Sequence, residues 1–584
     1  MKDTIIELLT AARDSVAAER DVPIESLTAV EIARTRDQQH GDFASNLALQ
    51  LAKPLRDNPR KIADALVKAL PASPDIERVE VAGPGFLNFF LNASKSTAVV
   101  GQILSQADAY PELAAAEKQR VIVEYVSANP TGPLHVGHGR HAAYGATLAN
   151  LLRAAGHDVH EEYYVNDAGR QMDILAISTL VRALQQAGHS IELPVAGYRG
   201  EYIRDIAQDW LSAHGEPQIA ADVLLEKAPQ DGDDERKERY IDALIHNAER
   251  ALGETFTALR TFSKDAILND IRDDLAGFGV VPDAFFSEAS LTTEGALDTA
   301  INVLKERDVI YEKEGALWFR ATDFDDEKDR VVVRDNGKST YFASDIAYHL
   351  NKRRRGFDVL LDALGSDHHG YIARVRAGLV AMGEPGESLE VQLIQFVSLF
   401  RGGEKVAMGT RSGNFVTLRE LREEVGNDAA RLFYIMRSHD QPLDFDLDLA
   451  KSNNKDNPVY YIQYAHARIA KIFRELSDQS LTWDEAAGLA GLPQLKDNFE
   501  IALLQSLDRF GDTILSAADK RAPHVLVNYL RDLAAELHSY YNNSSKILED
   551  ETTVRNARLA LIAAVRVVLR NGLKLLGVSA PEQM

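Results

Sequence analysis

Along residues 121–126 the chain reads Val-Ile-Val-Glu-Tyr-Val, an almost unbroken apolar run that predicts a strand covered on both faces. Asn129-Pro-Thr-Gly-Pro133 follows, which can only be a loop. From Gly139 the pattern turns helical: Leu148, Leu151, Leu152 and Ala155 fall at i, i+3, i+4 and i+7, and Gly156 predicts a left-handed helix end. A second strand is predicted over residues 159–165. Strand, loop, helix, strand is the first crossover of a doubly wound nucleotide-binding sheet, where ligands sit at the carboxyl ends of parallel strands.

The same patterning divides the chain into three zones. Up to residue 113, helical patterns over 4–20 and 43–70 precede a strand pair, 76–81 and 86–91, joined around Gly83-Pro84-Gly85, so a small α+β module is predicted. Residues 114–450 form the zone around the predicted sheet, interrupted at about 187–279 by a helical insertion. Residues 451–584 show only helical periodicity, longest in 501–518, 525–539 and 553–576. A multidomain α/β protein is expected, with a Rossmann-like central domain and an all-α C-terminal domain.

Composition narrows this little. A length of 584 residues allows two to four domains, and no run approaches the roughly 18 apolar residues that span a bilayer. The start, Met1-Lys-Asp-Thr-Ile-Ile-Glu-Leu-Leu, reads as an amphipathic helix without a cleavable signal pattern. The absence of cysteine excludes disulfides and thiolate metal sites and fits a cytoplasmic location. A net charge of −23 opposes nucleic-acid binding in general, so any RNA surface must be local. Lys352-Arg-Arg-Arg355, the span from Arg401 to Arg411 and the arginines at 555, 558, 566 and 570 are the basic clusters; each also reads as a solvated helix face, for residues 352–355 as readily as an RNA contact.

Candidate chemistry lies in the loop. His135 and His138 of His135-Val-Gly-His138 can donate hydrogen bonds to phosphate oxygens as charge develops there, and Gly137 lets a flat base approach the backbone. Taken alone, the same histidines read as ordinary loop residues or, with Asp367 and His368 of Gly365-Ser-Asp-His-His-Gly370, as part of a metal site. Glu124, at the end of an apolar strand, needs a partner, because burying it unpaired is costly.

From Glu124 to His138, Glu-Tyr-Val-Ser-Ala-Asn-Pro-Thr-Gly-Pro-Leu-His-Val-Gly-His resembles the first signature of the class I aminoacyl-tRNA synthetases in its arginyl form. Tyr163-Tyr-Val-Asn-Asp-Ala-Gly-Arg-Gln-Met172, Ser366-Asp-His-His-Gly-Tyr371, Phe415-Val-Thr-Leu-Arg-Glu-Leu421 and Leu575-Leu-Gly-Val-Ser-Ala-Pro581 resemble that family in the same order, so nearly the whole chain is covered. The resemblance implies ATP-dependent ligation of L-arginine to its tRNA through an arginyl-adenylate, with ATP entering as its Mg2+ complex, no tightly bound metal or organic cofactor, no membrane partner and a monomeric state.

Residue by residue, it implies that His135 and His138 are catalytic and, with Gly137, Gly365, Asp367, His368 and Met408, bind ATP. Glu124, Asn129, Tyr341 and Asp345 would hold arginine. The second signature, Lys-Met-Ser-Lys-Ser in the family, is degenerate: Ala407, Gly409 and Thr410 replace its polar members, which leaves Arg411 as the expected catalytic cation, with Lys405 the alternative. The N-terminal module resembles the arginyl-specific domain that contacts the outer corner of tRNA through Gly41-Asp-Phe-Ala-Ser-Asn46, implying Phe43 and Asn46. The C-terminal region resembles the anticodon-binding domain, implying Tyr460, Tyr541 and Met584, although tyrosines at helical spacing also pack inward.

Overall fold

The computed structural model describes residues 2–35, 40–91, 93–232, 235–406, 415–544 and 546–584. The chain divides into two units, each interrupted in sequence: Met1–Tyr110 with Ile472–Arg509 and Glu536–Val568, and Pro111–Lys471 with Phe510–Ala535 and Leu569–Met584.

In the first unit β1 (Ala33–Arg34), β2 (Phe43–Ser45), β3 (Ile76–Ala82) and β4 (Phe86–Leu91) form an antiparallel sheet in the order β1-β2-β4-β3. The expected hairpin is β3-β4, and its turn uses Gly83 and Gly85 at φ 50° and 139°. Helix Lys2–Ala18 presents Ile5, Leu9, Ala12 and Val16 to a core shared with Ile62 and Leu66 of helix Pro59–Ala69 and with Phe43, Leu87 and Phe89 of the sheet. The continuous helical pattern expected over 43–70 is instead a strand, a short helix (Leu47–Leu51) and helix Pro59–Ala69. The last helix has to start afresh, because Asn58 caps it by accepting from the Arg60 N–H at 2.9 Å and Pro59 occupies its first turn.

The second unit contains, in chain order, β5 (Arg120–Tyr125), β6 (Asp158–Val165) and β7 (Ala284–Ser287). These are followed by a small antiparallel meander of β8 (Ile310–Lys313), β9 (Ala316–Phe319) and β10 (Arg330–Val333), then by β11 (Val359–Gly365) and β12 (Leu389–Ile394). Among the described residues, five of these strands pair in parallel in the order β12-β11-β5-β6-β7. The chain steps from β5 to β6 and β7 and returns to the other side of β5 for β11 and β12. The switch point, where such sheets bind ligands, therefore lies at the carboxyl ends of β5 and β11.

Helix Val136–Ala154 makes the first crossover and lies tight on the sheet: a Cβ on Gly145 would come 2.2 Å from the Tyr125 ring. Gly156, at φ 97°, ends it in the left-handed conformation. Arg140 on this helix is 1% exposed, and its guanidinium donates to the carbonyls of Gln395, Ser438 and Gln441, which ties the helix to the segment after β12. The insertion is helical as expected, with Glu201–His214, Glu235–Leu252 and Glu254–Gly277 sharing a core with helix Arg170–Gln186.

Candidate active site

After Tyr125 the chain leaves the sheet through Val126 and Ser127, both at positive φ (68° and 42°), a conformation costly for a β-branched residue. The loop then delivers His135 to the N-cap of helix Val136–Ala154. There the His135 Nδ1 accepts from the backbone N–H groups of Gly137 (3.0 Å) and His138 (3.3 Å), and the His138 Nδ1 accepts from the His135 N–H (3.3 Å). The rings stack with centroids 3.6 Å apart.

Because both Nδ1 atoms are acceptors, a neutral ring carries its proton on Nε2. Burial lowers both pKa values, and the neighbouring His135 and His141 lower that of His138 further. The site therefore offers two neutral N–H donors at a helix N-terminus, an arrangement suited to phosphate. A Cβ on Gly137 would come 2.8 Å from the His135 ring, so the imidazole cap itself requires glycine.

A cavity of about 560 Å³ opens beside this cap and is lined by Asn129, His135, Gly137, His138, Gly365, Asp367 and His368, with Phe396 and Phe415 at its wall. Seven of the expected site residues thus meet at the switch point. No group of three or more His, Asp or Glu side chains able to hold a metal ion occurs among the described residues.

The expected arginine-binding residues Glu124, Tyr341 and Asp345 do not line that cavity. Glu124 is buried on β5 and adjoins it through Ser127, whose hydroxyl donates to Glu124 Oε1 at 3.0 Å. Asp345 and Tyr341 belong to helix Tyr341–Arg354, with Tyr341 exposed. Burial pushes the Asp345 carboxyl up to about 7, against the opposing pull of His349 and a hydrogen bond from Tyr371, with Glu124 and Asp362 adding repulsion.

Three further charged residues around Glu124 and Asp345 were not foreseen. Glu288, at the start of helix Glu288–Thr293, is likewise pushed up to about 7 by burial and by Asp345 and Asp167. Lys352 donates to Glu124 Oε2 at 2.6 Å and to Asp362 Oδ1 at 2.8 Å. Asp362 had left a signal, a lone carboxylate in the apolar run Val359-Leu-Leu-Asp-Ala-Leu364.

The basic cluster 352–355 is largely committed to ion pairs: Lys352 is buried, Arg353 binds Glu384 and Arg355 binds Glu162, which leaves Arg354 exposed. Phe43 also departs from its expected tRNA-stacking role. It is 1% exposed in the core of the first unit, with the Arg34 guanidinium 4.5 Å from its ring centroid, and it has no face to offer a base. Asn46 is exposed beside it. Tyr541, 44% exposed, lines a cavity of about 690 Å³ with Tyr540, Asn542, Glu475 and Lys546. In the second unit Tyr460 stacks on Tyr464 and shares a cavity of about 360 Å³ with Gln463 and Met584. Met408 and Arg411, with the rest of the degenerate signature, lie outside the described residues.

Three family models match consecutive parts of the chain: Arginyl tRNA synthetase N terminal domain at residues 3–91, tRNA synthetases class I (R), catalytic domain, at 99–441, and DALR anticodon binding domain at 462–584. The parallel sheet with its histidine-capped crossover helix is thus the catalytic fold of class I synthetases. Over the full length of both proteins the chain is 52% identical to the Arginine–tRNA ligase of Thioalkalivibrio sulfidiphilus and 50% identical to that of Legionella pneumophila strain Paris. The chain belongs to the arginyl-tRNA synthetase family. Among solved structures, the Thermus thermophilus arginyl-tRNA synthetase superposes over 100% of both chains with a TM-score of 0.76 at 25% identity. A putative arginyl-tRNA synthetase from Campylobacter jejuni covers 85% of this chain, and 100% of its own, with a TM-score of 0.73 at 31% identity.

Proposed function

We propose that the cavity at the ends of β5 and β11 carries both steps of the family's reaction, ligation of L-arginine to its tRNA through an arginyl-adenylate. A carboxylate oxygen of arginine attacks the α-phosphorus of ATP, the bond to the β-phosphate breaks, and pyrophosphate leaves with Mg2+. A hydroxyl of the terminal tRNA ribose then attacks the arginyl carbonyl carbon, and AMP departs as the hydroxyl loses its proton.

The observation that carries this reading is the histidine cap. With both Nδ1 atoms occupied by backbone N–H groups, each ring has Nε2–H left to stabilise charge on phosphate oxygens without being charged itself. Gly365, Asp367 and His368, across the cavity, take the adenosine half of ATP. Asp345 and Glu288 take the guanidinium, whose planar fork suits paired carboxylates; Glu124, Asn129 and Tyr341 complete the arginine site. Arg411 supplies the cation for pyrophosphate. Tyr460, Tyr541, Met584 and Asn46 contact tRNA. The enzyme acts in the cytoplasm, a location its lack of cysteine fits, and as a monomer, as the family resemblance implies.

Exchange of labelled pyrophosphate into ATP, with and without tRNA, tests the proposal. Exchange should require arginine, collapse in His138→Ala and fall in Arg411→Ala. Tight tRNA binding without arginine-dependent exchange would instead mark an RNA-binding relative that has lost catalysis.

A further inference from the structure

Asp362 and Glu124 are register partners on the adjacent parallel strands β11 and β5, so their side chains leave the same face of the sheet side by side. Two carboxylates in that position are stripped of water and repel each other. Lys352 reconciles them. Its ammonium, 0% exposed, donates to one oxygen of each carboxylate, at 2.6 and 2.8 Å, and lies 4.3 Å from the centroid of the Tyr348 ring. The second oxygen of Asp362 meets His349 Nε2 at 2.7 Å, and His349 Nδ1 meets the backbone oxygen of Asp345, also at 2.7 Å. Asp345, His349 and Lys352 stand at i, i+4 and i+7 on helix Tyr341–Arg354, which puts them on one face. The chain of contacts therefore runs from the strand pair to the turn that carries Asp345.

A buried ion network of this kind is a poor source of stability, since apolar residues of similar volume often serve a fold as well or better. What it can provide is geometry: charged groups held in place by partners that are themselves fixed. Around Lys352 the fixing is complete on the strand side, because Glu124 Oε1 also accepts from Ser127, whose hydroxyl oxygen accepts in turn from the Tyr164 N–H.

We propose that Lys352 is a positioning residue for the amino-acid substrate: its ammonium fixes the Glu124 carboxylate and, through Asp362 and His349, the helix turn bearing Asp345, so that the pocket is formed before arginine arrives. The inference rests on the assignment of Glu124 and Asp345 to arginine. Without the ammonium, Glu124 and Asp362 keep Ser127 and His349 but lose the cation between them, so two buried acids repel each other and the geometry they hold is released.

Steady-state arginine-dependent pyrophosphate exchange in the presence of tRNA tests this with Lys352→Met, the double variant Lys352→Met/Asp362→Asn, and Asp345→Asn, alongside thermal melting. Lys352→Met should raise KM for arginine about tenfold or more, leave KM for ATP within about twofold, and lower the melting temperature. The double variant removes one of the two mutually repelling acids and should recover melting temperature while KM for arginine stays high. Recovery of both together, or an unchanged KM for arginine in either variant, would reduce Lys352 to a structural ion pair and overturn the inference. If Lys352→Met does not fold, the double variant decides on the same criterion. Asp345→Asn separates the two levels: a raised arginine KM there, with none in the Lys352 variants, overturns only the inference, whereas no change there overturns the arginine-site assignment beneath it.

Discussion

Two kinds of perturbed titration occur in the catalytic unit, and they predict different pH behaviour. The imidazoles of His135 and His138 are held below the ordinary histidine value, so they are already neutral at pH 7 and raising the pH removes nothing from them. Asp345 and Glu288 are held near 7, above the ordinary carboxylate range. Between that range and pH 7 the folded protein keeps protons that the unfolded chain has lost, so the substrate-free protein loses stability as pH rises through this window. If Asp345 and Glu288 take the guanidinium as proposed, arginine reverses the trend, because the cation favours the ionised carboxylates. The KM for arginine should therefore fall about tenfold from pH 6 to pH 8, and the gain in melting temperature on adding arginine should be larger at pH 8. A KM that is flat across this range, measured by exchange at saturating ATP, would show that neither carboxyl meets the guanidinium. Replacing His138 by Ala should lower kcat by about 10² to 10³, the loss expected when one donor to a transition-state oxyanion is removed.

The crossover helix Val136–Ala154 shows what an element adds to its residues. Its N-terminus aims two rings, its middle pins the Gln395 segment through Arg140, and its fit to the sheet depends on Gly145 over the Tyr125 ring. Gly145→Ala should destabilise the protein by about 1–3 kcal/mol, read by denaturant unfolding, because a methyl 2.2 Å from a fixed ring has nowhere to go. Most of this element was legible in the sequence: the uniform apolar run gave a buried strand, the leucine spacing a helix, and Gly156 its end. The cap geometry was not, since a histidine serving as N-cap has no sequence signature. The same divide holds for the proposed arginine pocket. Asp345 could be read from motif and helix position, whereas Glu288 looks like any acidic residue in a first helical turn and acquires its character only from burial beside Asp345 and Asp167. Lys352 and Glu124 are separated by 228 residues, and nothing local to 352–355 distinguishes an internal cation from an exposed basic run. Phe43 fails in the other direction: its motif suggests a surface role, but its pairing with Phe89 across β2 and β4 puts it in the core.

A molecule with a net charge of −23 has to bind a polyanion through local cations, and the structure commits Lys352, Arg353 and Arg355 to carboxylates of its own. Affinity for tRNA must then come in good part from groups that attract bases without relying on charge. Exposed rings do this, because each base has a face that stacks on an aromatic side chain, for about 1–3 kcal/mol. Tyr541 meets that condition and its neighbour does not: Tyr541 is 44% exposed on the wall of a cavity, whereas Tyr540 is fully buried. Tyr541→Ala should therefore raise KM for tRNA in aminoacylation by about ten- to a hundredfold while Tyr541→Phe retains most of the affinity, because stacking needs the ring and not the hydroxyl. Tyr540→Phe should leave KM for tRNA unchanged and cost no stability, since the hydroxyl it removes is buried without a hydrogen-bond partner among the described residues. The stacking contribution should also persist when salt is raised, so that the ratio of KM values between Tyr541→Ala and the parent stays constant while both rise through loss of phosphate contacts. A ratio that collapses towards one at high salt would mean that position 541 acts through the charges around it, Glu475 and Lys546 among them, and that the base is held elsewhere.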